Sequence, residues 1–384
     1  MANGPLAGLR VVELARILAG PWIGQTLADL GAEVIKVEAP EGDDTRRWGP
    51  PFIDRPRPGG GVERVATYFH AANRGKTSVT CDFRDAADLA RLKSLIGQAD
   101  VVIENFKSGG LIRHGLDYAS LSADHPQLIY ASVTGFGQDG PRAAQPGYDF
   151  MIQGLSGIMD LTGEPGGTPQ KVGVAWVDIF TGLYGVIAVQ AALAERARSG
   201  RGQHLDLALM DTAVAVLANQ GASYLLGGVV PQRLGNAHPS IVPYQVFAVA
   251  DGHVIIACGN DRQFAALCRV LGRGPWADDP EFATNPDRVS HRDRLVPLLE
   301  GELSGWRRDD LIAALEGAGV PVGPINSVPE ALSDPQIVAR GLVVSPEGLP
   351  GLRTPIRFSR SALVTDRAAP ALGSGDWQFS DRGA

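Results

Sequence analysis

The sequence predicts an α/β fold: a mostly parallel sheet covered by helices, followed by a smaller α+β unit between about 225 and 325. Two patterns carry this reading. Short apolar runs alternate with helical patterns through the first half of the chain, and beyond it a hairpin signature is followed by consecutive helical patterns. Composition agrees, because 44% of the 384 residues are apolar and 20% charged, enough to bury a large core.

The elements follow in order. Leu9 to Leu14 reads as a strand, Pro21 to Leu30 as a helix with proline in its first turn, and Glu33 to Val37 as a second strand. Asp54 to Val62 is rich in Gly and Pro and is expected to be a loop. Asp85 to Ile96 is amphipathic, with Leu89, Leu92 and Leu95 on one face; Val101 to Ile103 and Leu128 to Val133 are further strands. Gly135 to Gly147 and Gly163 to Gln170 are loops. A helical pattern follows Thr181, with one strand at His204 to Leu207. Tyr244 to Ala248 and His253 to Ala257 form a hairpin about the Asp251-Gly252 turn. Helices are expected at Arg262 to Leu271, Arg294 to Leu303 and Arg308 to Ala318, and strand-like segments near Pro321 to Ile325 and Gly341 to Val344.

Charge and cysteine content narrow the function. Thirty-five basic against 42 acidic residues give a net charge of −7, which argues against a nucleic-acid partner. Cys81, Cys258 and Cys268 have no CxxC spacing, so a zinc cluster or redox pair is not expected and a reduced, cytoplasmic setting fits. The first residues show no basic and apolar signal-peptide pattern. The seven histidines lack metal-ligand spacing, so no metal is expected.

Two nucleotide motifs nearly fit. His70 to Thr77 resembles a phosphate-binding loop but has His70 where the first glycine is needed. Gly135-Phe-Gly137-Gln-Asp-Gly140 satisfies GxGxxG, yet no apolar helix follows at once, and a plain turn is the better reading. The most informative segment is Val172 to Ala194, whose 23 residues hold one charge, Asp178. Its length would suit a membrane span, but the aspartate and Gly173, Gly182 and Gly185 argue instead for a helix covered on all sides. Asp178 near its start is either a helix N-cap or a carboxylate nucleophile in an apolar pocket. Local pattern does not separate the two.

The segments LRVVELARILAGPWIGQTLADLGAEVIKVEAPEGDDTRRWGPP, ANRGKTSVTCDF, ADVVIENFKSGGLIRHGLDY and YASVTGFGQDGP resemble family III CoA-transferases, the group that includes formyl-CoA and carnitine CoA-transferases. So do PGYDFMIQGLSGIMDLTGEPGGTPQKVGVAWVDIFTG, RGQHLDLALMDT, RLGNAHPSIVPYQVFAVADGHVIIACGNDRQF and VPVGPINSVPEAL, and the likeness spans about residues 7 to 372. The resemblance implies a large domain built from both chain ends, 1–220 and 326–384, a small domain at 221–325, and an interlocked homodimer. It implies that acyl-CoA and a carboxylic acid are the substrates, that no membrane is involved, and that Asp178 is the nucleophile, passing through an anhydride and an aspartyl-CoA thioester.

By the same resemblance Leu18, Ala19, Asn73, Arg74, Gly75, Lys76, Asn105, Phe106, Lys107, Arg113, Thr134, Gly135, Phe136 and Gly137 line the CoA site. Without it, Arg74, Lys76 and Arg113 read as solvated surface charges. Some members place an arginine after the second strand; Ala39 stands there, leaving Lys36, Arg46 or Arg47 as substitutes. Tyr148, His238, Gly259 and Asn260 are implied on the substrate side, although His238 reads equally as a packed histidine, and the single glycine at 259 speaks against a mobile lid. The TGEPGGTPQKVGV stretch looks closest to members handling dicarboxylates, which points to succinyl-CoA or another short dicarboxylyl-CoA as donor. Two alternatives differ in class: an α-methylacyl-CoA racemase, disfavoured because Tyr148 stands where its histidine is needed, and a non-catalytic CoA-binding protein.

Overall fold

Six short runs of β-branched and other apolar residues become one sheet, and its strand order locates the site. The computed structural model describes residues 4–56 and 60–381. The chain divides into two units: Met1–Ile158 with Lys171–Val229 and Val338–Ala384, and Met159–Gln170 with Val230–Ile337.

In chain order the first unit holds β1 (Arg10–Glu13), α1 (Ala19–Asp29), β2 (Glu33–Glu38), β3 (Phe52–Pro56), β4 (Val62–Ala66), α2 (Thr67–Ala71) and β5 (Thr77–Thr80). It continues with α3 (Ala86–Ile96), β6 (Val101–Glu104), α4 (Tyr118–Asp124), β7 (Ile129–Thr134) and α5 (Asp149–Leu155). After α6 (Ile158–Leu161), which falls almost wholly in the second unit, come α7 (Trp176–Ser199), β8 (His204–Ala208), α8 (Leu209–Ala215) and α9 (Ala218–Gly227). The sheet runs β5–β2–β1–β6–β7–β8, and every neighbouring pair is parallel.

A parallel sheet is covered on both faces, so its central strands are mostly apolar, with charged residues such as Glu13, Lys36 and Glu104 toward their carboxyl ends. Alternate residues serve the two layers. Val11, Val34, Val101 and Ile129 pack with α1 and α7, while Val12, Ile35, Val102 and Tyr130 pack with Leu92, Leu95 and Ile96 of α3. The strand order reverses between β1 and β6: β1 leads by way of α1 to β2 on one side, whereas β6 leads to β7 on the other. Loops leaving such a switch point part in opposite directions and open a crevice at the strands' carboxyl ends.

The loop expected over 54–62 is instead the flank of an antiparallel hairpin, β3 against β4, with residues 57–59 outside the described part. Its alternation of apolar and polar residues was masked by Pro56 and the glycines that turn the chain. Helix α7 also departs from expectation. It begins at Trp176, extends to Ser199, and is not covered all round. Its inner face carries Gly182 and Gly185, where an added Cβ would press on Trp22 and Ala19 O, and on Ile23, of α1. Glycine there lets two helices approach closely. The outer face leaves Phe180, Leu183, Tyr184 and Ile187 at 41, 42, 45 and 59% exposure. By length and composition α7 could cross a membrane, but its inner face belongs to the core of this unit.

The second unit contains the antiparallel hairpin β9 (Tyr244–Val249) and β10 (Gly252–Ala257), with β11 (Val322–Pro324) antiparallel on β10. Phe247, Val254 and Ile256 pack with α10 (Asp261–Val270), α11 (Asn285–Ser290), α12 (Arg292–Leu303) and α13 (Arg308–Gly317) through Phe264, Leu267, Leu295, Leu299, Leu311 and Leu315.

Candidate active site

The crevice at the β1/β6 switch point is a cavity of about 260 Å³. Arg16, Ile17, Leu18 and Ala19 line it from the loop after β1, Asn105, Phe106, Lys107 and Ser108 from the loop after β6, and Thr134 and Gly135 from the end of β7. Gly147 and Tyr148 come from the approach to α5, and Asp178 from the first turn of α7. Gly135 and Gly147 face each other so closely that a Cβ on either would overlap the other's Cα. Two glycines thus bring the β7 loop and the α5 approach together at the cavity wall.

The loop after β1 is held in an unusual shape. Ile17 has φ +71°, a left-handed conformation that a β-branched residue seldom adopts. Its N–H donates to both carboxylate oxygens of Asp43, at 3.3 and 3.2 Å. On the other side Asn105 pairs with the Arg16 backbone twice: Nδ2 donates to Arg16 O at 2.7 Å, and Oδ1 accepts from Arg16 N at 2.9 Å. Leu18 follows as the N-cap of α1 without any side-chain cap, so N–H groups of the first turn are left without side-chain acceptors beside the cavity.

Asp43 is fixed in turn by a buried charge network. Lys36 Nζ reaches Asp43 at 2.9 Å and Glu13 at 3.1 Å, and Lys76 Nζ reaches Glu13 at 2.8 Å. Burial alone would lower Lys36, but Asp43, Glu13 and Glu38 outweigh it and hold the ammonium above the usual lysine range. Burial alone would raise Asp43, but Lys36 and the N–H of Thr45 bring it down to about 2. Burial pushes Lys76 down to about 8 despite Glu13.

Asp178 stands in a different setting. The N-cap of α7 is Ala175, so Asp178 is the third helical residue and not a cap. Among the described residues no cation or hydrogen-bond donor contacts its carboxylate. Burial, with the charge of Asp149 adding to it, pushes the carboxyl up to about 7. Asp149 Oδ1 accepts from Val177 N at 2.8 Å and Asp178 N at 3.3 Å.

The cavity gathers Leu18, Ala19, Asn105, Phe106, Lys107, Thr134, Gly135, Tyr148 and Asp178. It does not gather the other residues expected on the CoA side. Asn73 is buried, donating to Phe69 O and accepting from Lys76, and Lys76 is spent on Glu13. Arg74 is 4% exposed and pairs with Asp29 at 2.6 Å, and Lys76 is buried too, so neither is a solvated surface charge. Gly75 is a left-handed turn whose N–H meets Arg367 O and Ala368 O. Arg113 is exposed and donates to His114. Phe136 packs on the core, and Gly137 N donates to Thr134 Oγ1. Of the substitutes for an arginine after β2, Lys36 and Arg46 are both committed to buried carboxylates, and Arg47 bonds Glu41 O and Asp44. His238, Gly259 and Asn260 belong to the second unit. There His238 Nδ1 accepts from Ser240 N, Gly259 N donates to Gln263 Oε1, and Asn260 caps α10.

A second cavity of about 450 Å³ lies against the first, and Arg16 and Phe106 line both. Its walls include Lys36 to Glu41 at the end of β2 and Cys81, Asp82, Phe83 and Arg84 after β5. Arg16 and Arg84 escaped the sequence reading. Their signal is positional, since each follows a strand of the parallel sheet at its carboxyl end.

Residues 6–375 match the model of CoA-transferase family III. A succinate–glutarate CoA-transferase of Agrobacterium fabrum is 54% identical over 375 residues, which cover 96% of this chain and 93% of the relative. A human succinyl-CoA:glutarate CoA-transferase is 38% identical, over 96% of this chain and 84% of the relative. The crystal structure of a CAIB/BAIF family protein from Brucella suis superposes with a TM-score of 0.88 at 60% identity, covering 97% of each chain.

Proposed function

The chain belongs to CoA-transferase family III, and from that premise we propose that it moves CoA from succinyl-CoA to a second short dicarboxylic acid, with glutarate the first to try, through Asp178. The substrates named for its relatives support the choice of acids. The observation that carries the assignment of Asp178 is its carboxylate, raised to about 7 with no cation against it among the described residues, in a cavity at the switch point of the sheet. A structural carboxylate so placed would be expected to carry a partner.

The steps conserve the thioester's energy. The Asp178 carboxylate attacks the succinyl carbonyl, the C–S bond breaks, and CoA leaves as thiolate, giving a mixed anhydride. The thiolate attacks the aspartyl carbonyl, and the anhydride C–O bond breaks to release succinate and leave aspartyl-CoA. The acceptor carboxylate attacks that thioester and expels the thiolate. The thiolate then attacks the acceptor's carbonyl, forming the new acyl-CoA and restoring Asp178. No water enters any step, so both anhydrides must be shielded from it. N–H groups at the uncapped start of α1 suit the oxyanions of these steps. Arg16 and Lys107 suit phosphate oxygens, and the adjoining cavity offers room for the nucleotide beside Phe83, Arg84 and Phe106.

Incubation with succinyl-CoA and hydroxylamine is expected to convert Asp178 alone to a hydroxamate, seen by peptide mass spectrometry. Lack of any Asp178 adduct with active enzyme, across a panel of dicarboxylyl-CoA donors, would sink the assignment. The homodimer is proposed from the open apolar face of α7; light scattering after Ile187→Glu should show dimer loss.

A further inference from the structure

Helix α7 lacks a cap of its own. Its N-cap, Ala175, offers no side-chain acceptor, so the first N–H groups must find partners elsewhere. They find Asp149, from α5, whose Oδ1 accepts from Val177 N at 2.8 Å and Asp178 N at 3.3 Å. Its other oxygen accepts from Gln153 Nε2 at 2.6 Å. Gln153, fully buried and one turn along α5, uses its remaining amide oxygen to accept from Val172 N at 3.0 Å. One carboxylate and one amide therefore tie both sides of the turn that enters α7. We propose that Asp149 and Gln153 are positioning residues for Asp178: a cap supplied from a neighbouring helix that sets the angle and the charge state of the nucleophile.

A second carboxylate, half-buried beside Asp178, is electrostatically adverse, and neutral acceptors would cap a helix without that cost. Asp149 is not placed as a base, because both of its oxygens are occupied by donors. Its charge lies against the N–H of Asp178 itself and favours the protonated form of Asp178. The other groups near Asp178 are Tyr68, whose hydroxyl is pushed up by burial and by Asp178 and Asp149, and Arg16, Lys107 and Tyr148 on the cavity wall. Removing the Asp149 charge therefore shifts the ionisation of Asp178 downward, and removing the acceptor releases the helix start.

The inference rests on Asp178 being the nucleophile, and the test separates the two. Asp149→Asn keeps one carbonyl oxygen for the two N–H groups and loses the charge. Asp149→Ala loses both, and Gln153→Leu removes the brace alone. Activity against pH, KM for succinyl-CoA, thermal melting and the hydroxylamine adduct at Asp178 are measured for each in the full chain. Asp149→Ala is expected to lower kcat on the order of a hundredfold with little change in KM. Asp149→Asn should move the acidic limb of the pH profile down, so that its activity relative to the parent is higher at pH 5.5 than at pH 8. If Asp149→Ala fails to fold, Asp149→Asn decides by its profile. Parent-like kcat and an unmoved pH profile in Asp149→Asn, with the adduct present in the parent, would overturn the inference. So would a change in melting temperature with no change in the profile. Absence of the adduct in the parent would overturn the assignment of Asp178 instead.

Discussion

Two groups of carboxylates flank the loop after β1, and they have opposite electrostatics. Glu13 and Asp43 are buried with Lys36 and Lys76 between them, and the cations hold Asp43 down at about 2. Asp178 and Asp149 sit together with no cation in contact with Asp178 among the described residues, and Asp178 rises to about 7. Burial acts in the same sense on both, so partners decide. A paired carboxylate is part of the scaffold. An unpaired one beside a cavity is available for chemistry, and its neighbour sets when it is charged.

The comparison breaks first at Asp178. Asp178→Ala should lower transferase activity by about 10⁴-fold or more, measured as acyl-CoA product, because the covalent route is lost. Glu13→Ala is the counterpart in the paired group. It leaves Lys76 buried without a carboxylate partner among the described residues, and should cost about 3–5 kcal/mol of stability in denaturant titration. The pH dependences should run in opposite directions. Asp43 binds its proton less readily in the folded chain, so its contribution is present above about pH 3.8 and disappears as pH falls through about 2. Asp178 binds its proton more readily when folded, so it lowers stability above pH 7, and that penalty is gone by pH 4. Asp178→Asn should therefore raise stability at pH 8 by about 1–3 kcal/mol, discounted for partial exposure, and leave it unchanged at pH 4. The smallest effect is expected at the rim. Arg16→Ala should raise KM for acyl-CoA about fivefold, with the difference shrinking in high salt.

Much of the fold was legible. The runs around Val11, Val34, Val101 and Ile129 are apolar enough to declare a parallel sheet, and the glycines of α7 spoke against a membrane span, whereas their close approach to α1 shows only in the fold. The β3–β4 hairpin was not, because Pro56 and its neighbouring glycines read as loop. For the proposed site, Asp178 stands out in the sequence as a lone charge in an apolar stretch, a pattern that by itself also allowed a helix N-cap. The partners of Arg74 and Lys76 were not legible, because a charge in a motif says nothing about the carboxylate that meets it from a distant segment: Asp29 lies 45 residues from Arg74, and Glu13 lies 63 from Lys76. The Asp149 cap was invisible for the same reason, since no periodicity within α7 names an acceptor on α5.

Ile17 has one more implication. In the proposed cycle the thiolate leaves and returns twice, and whatever holds the acyl end must keep its form while partly empty. A loop shaped by its ligand would relax in those intervals. This one is bent by hydrogen bonds to Asp43 and Asn105, which hold Ile17 in a left-handed shape that its β-branched side chain would not choose by itself. The receptor for the second half-reaction is thus the same as for the first, and the enzyme needs no memory of which acid has just departed.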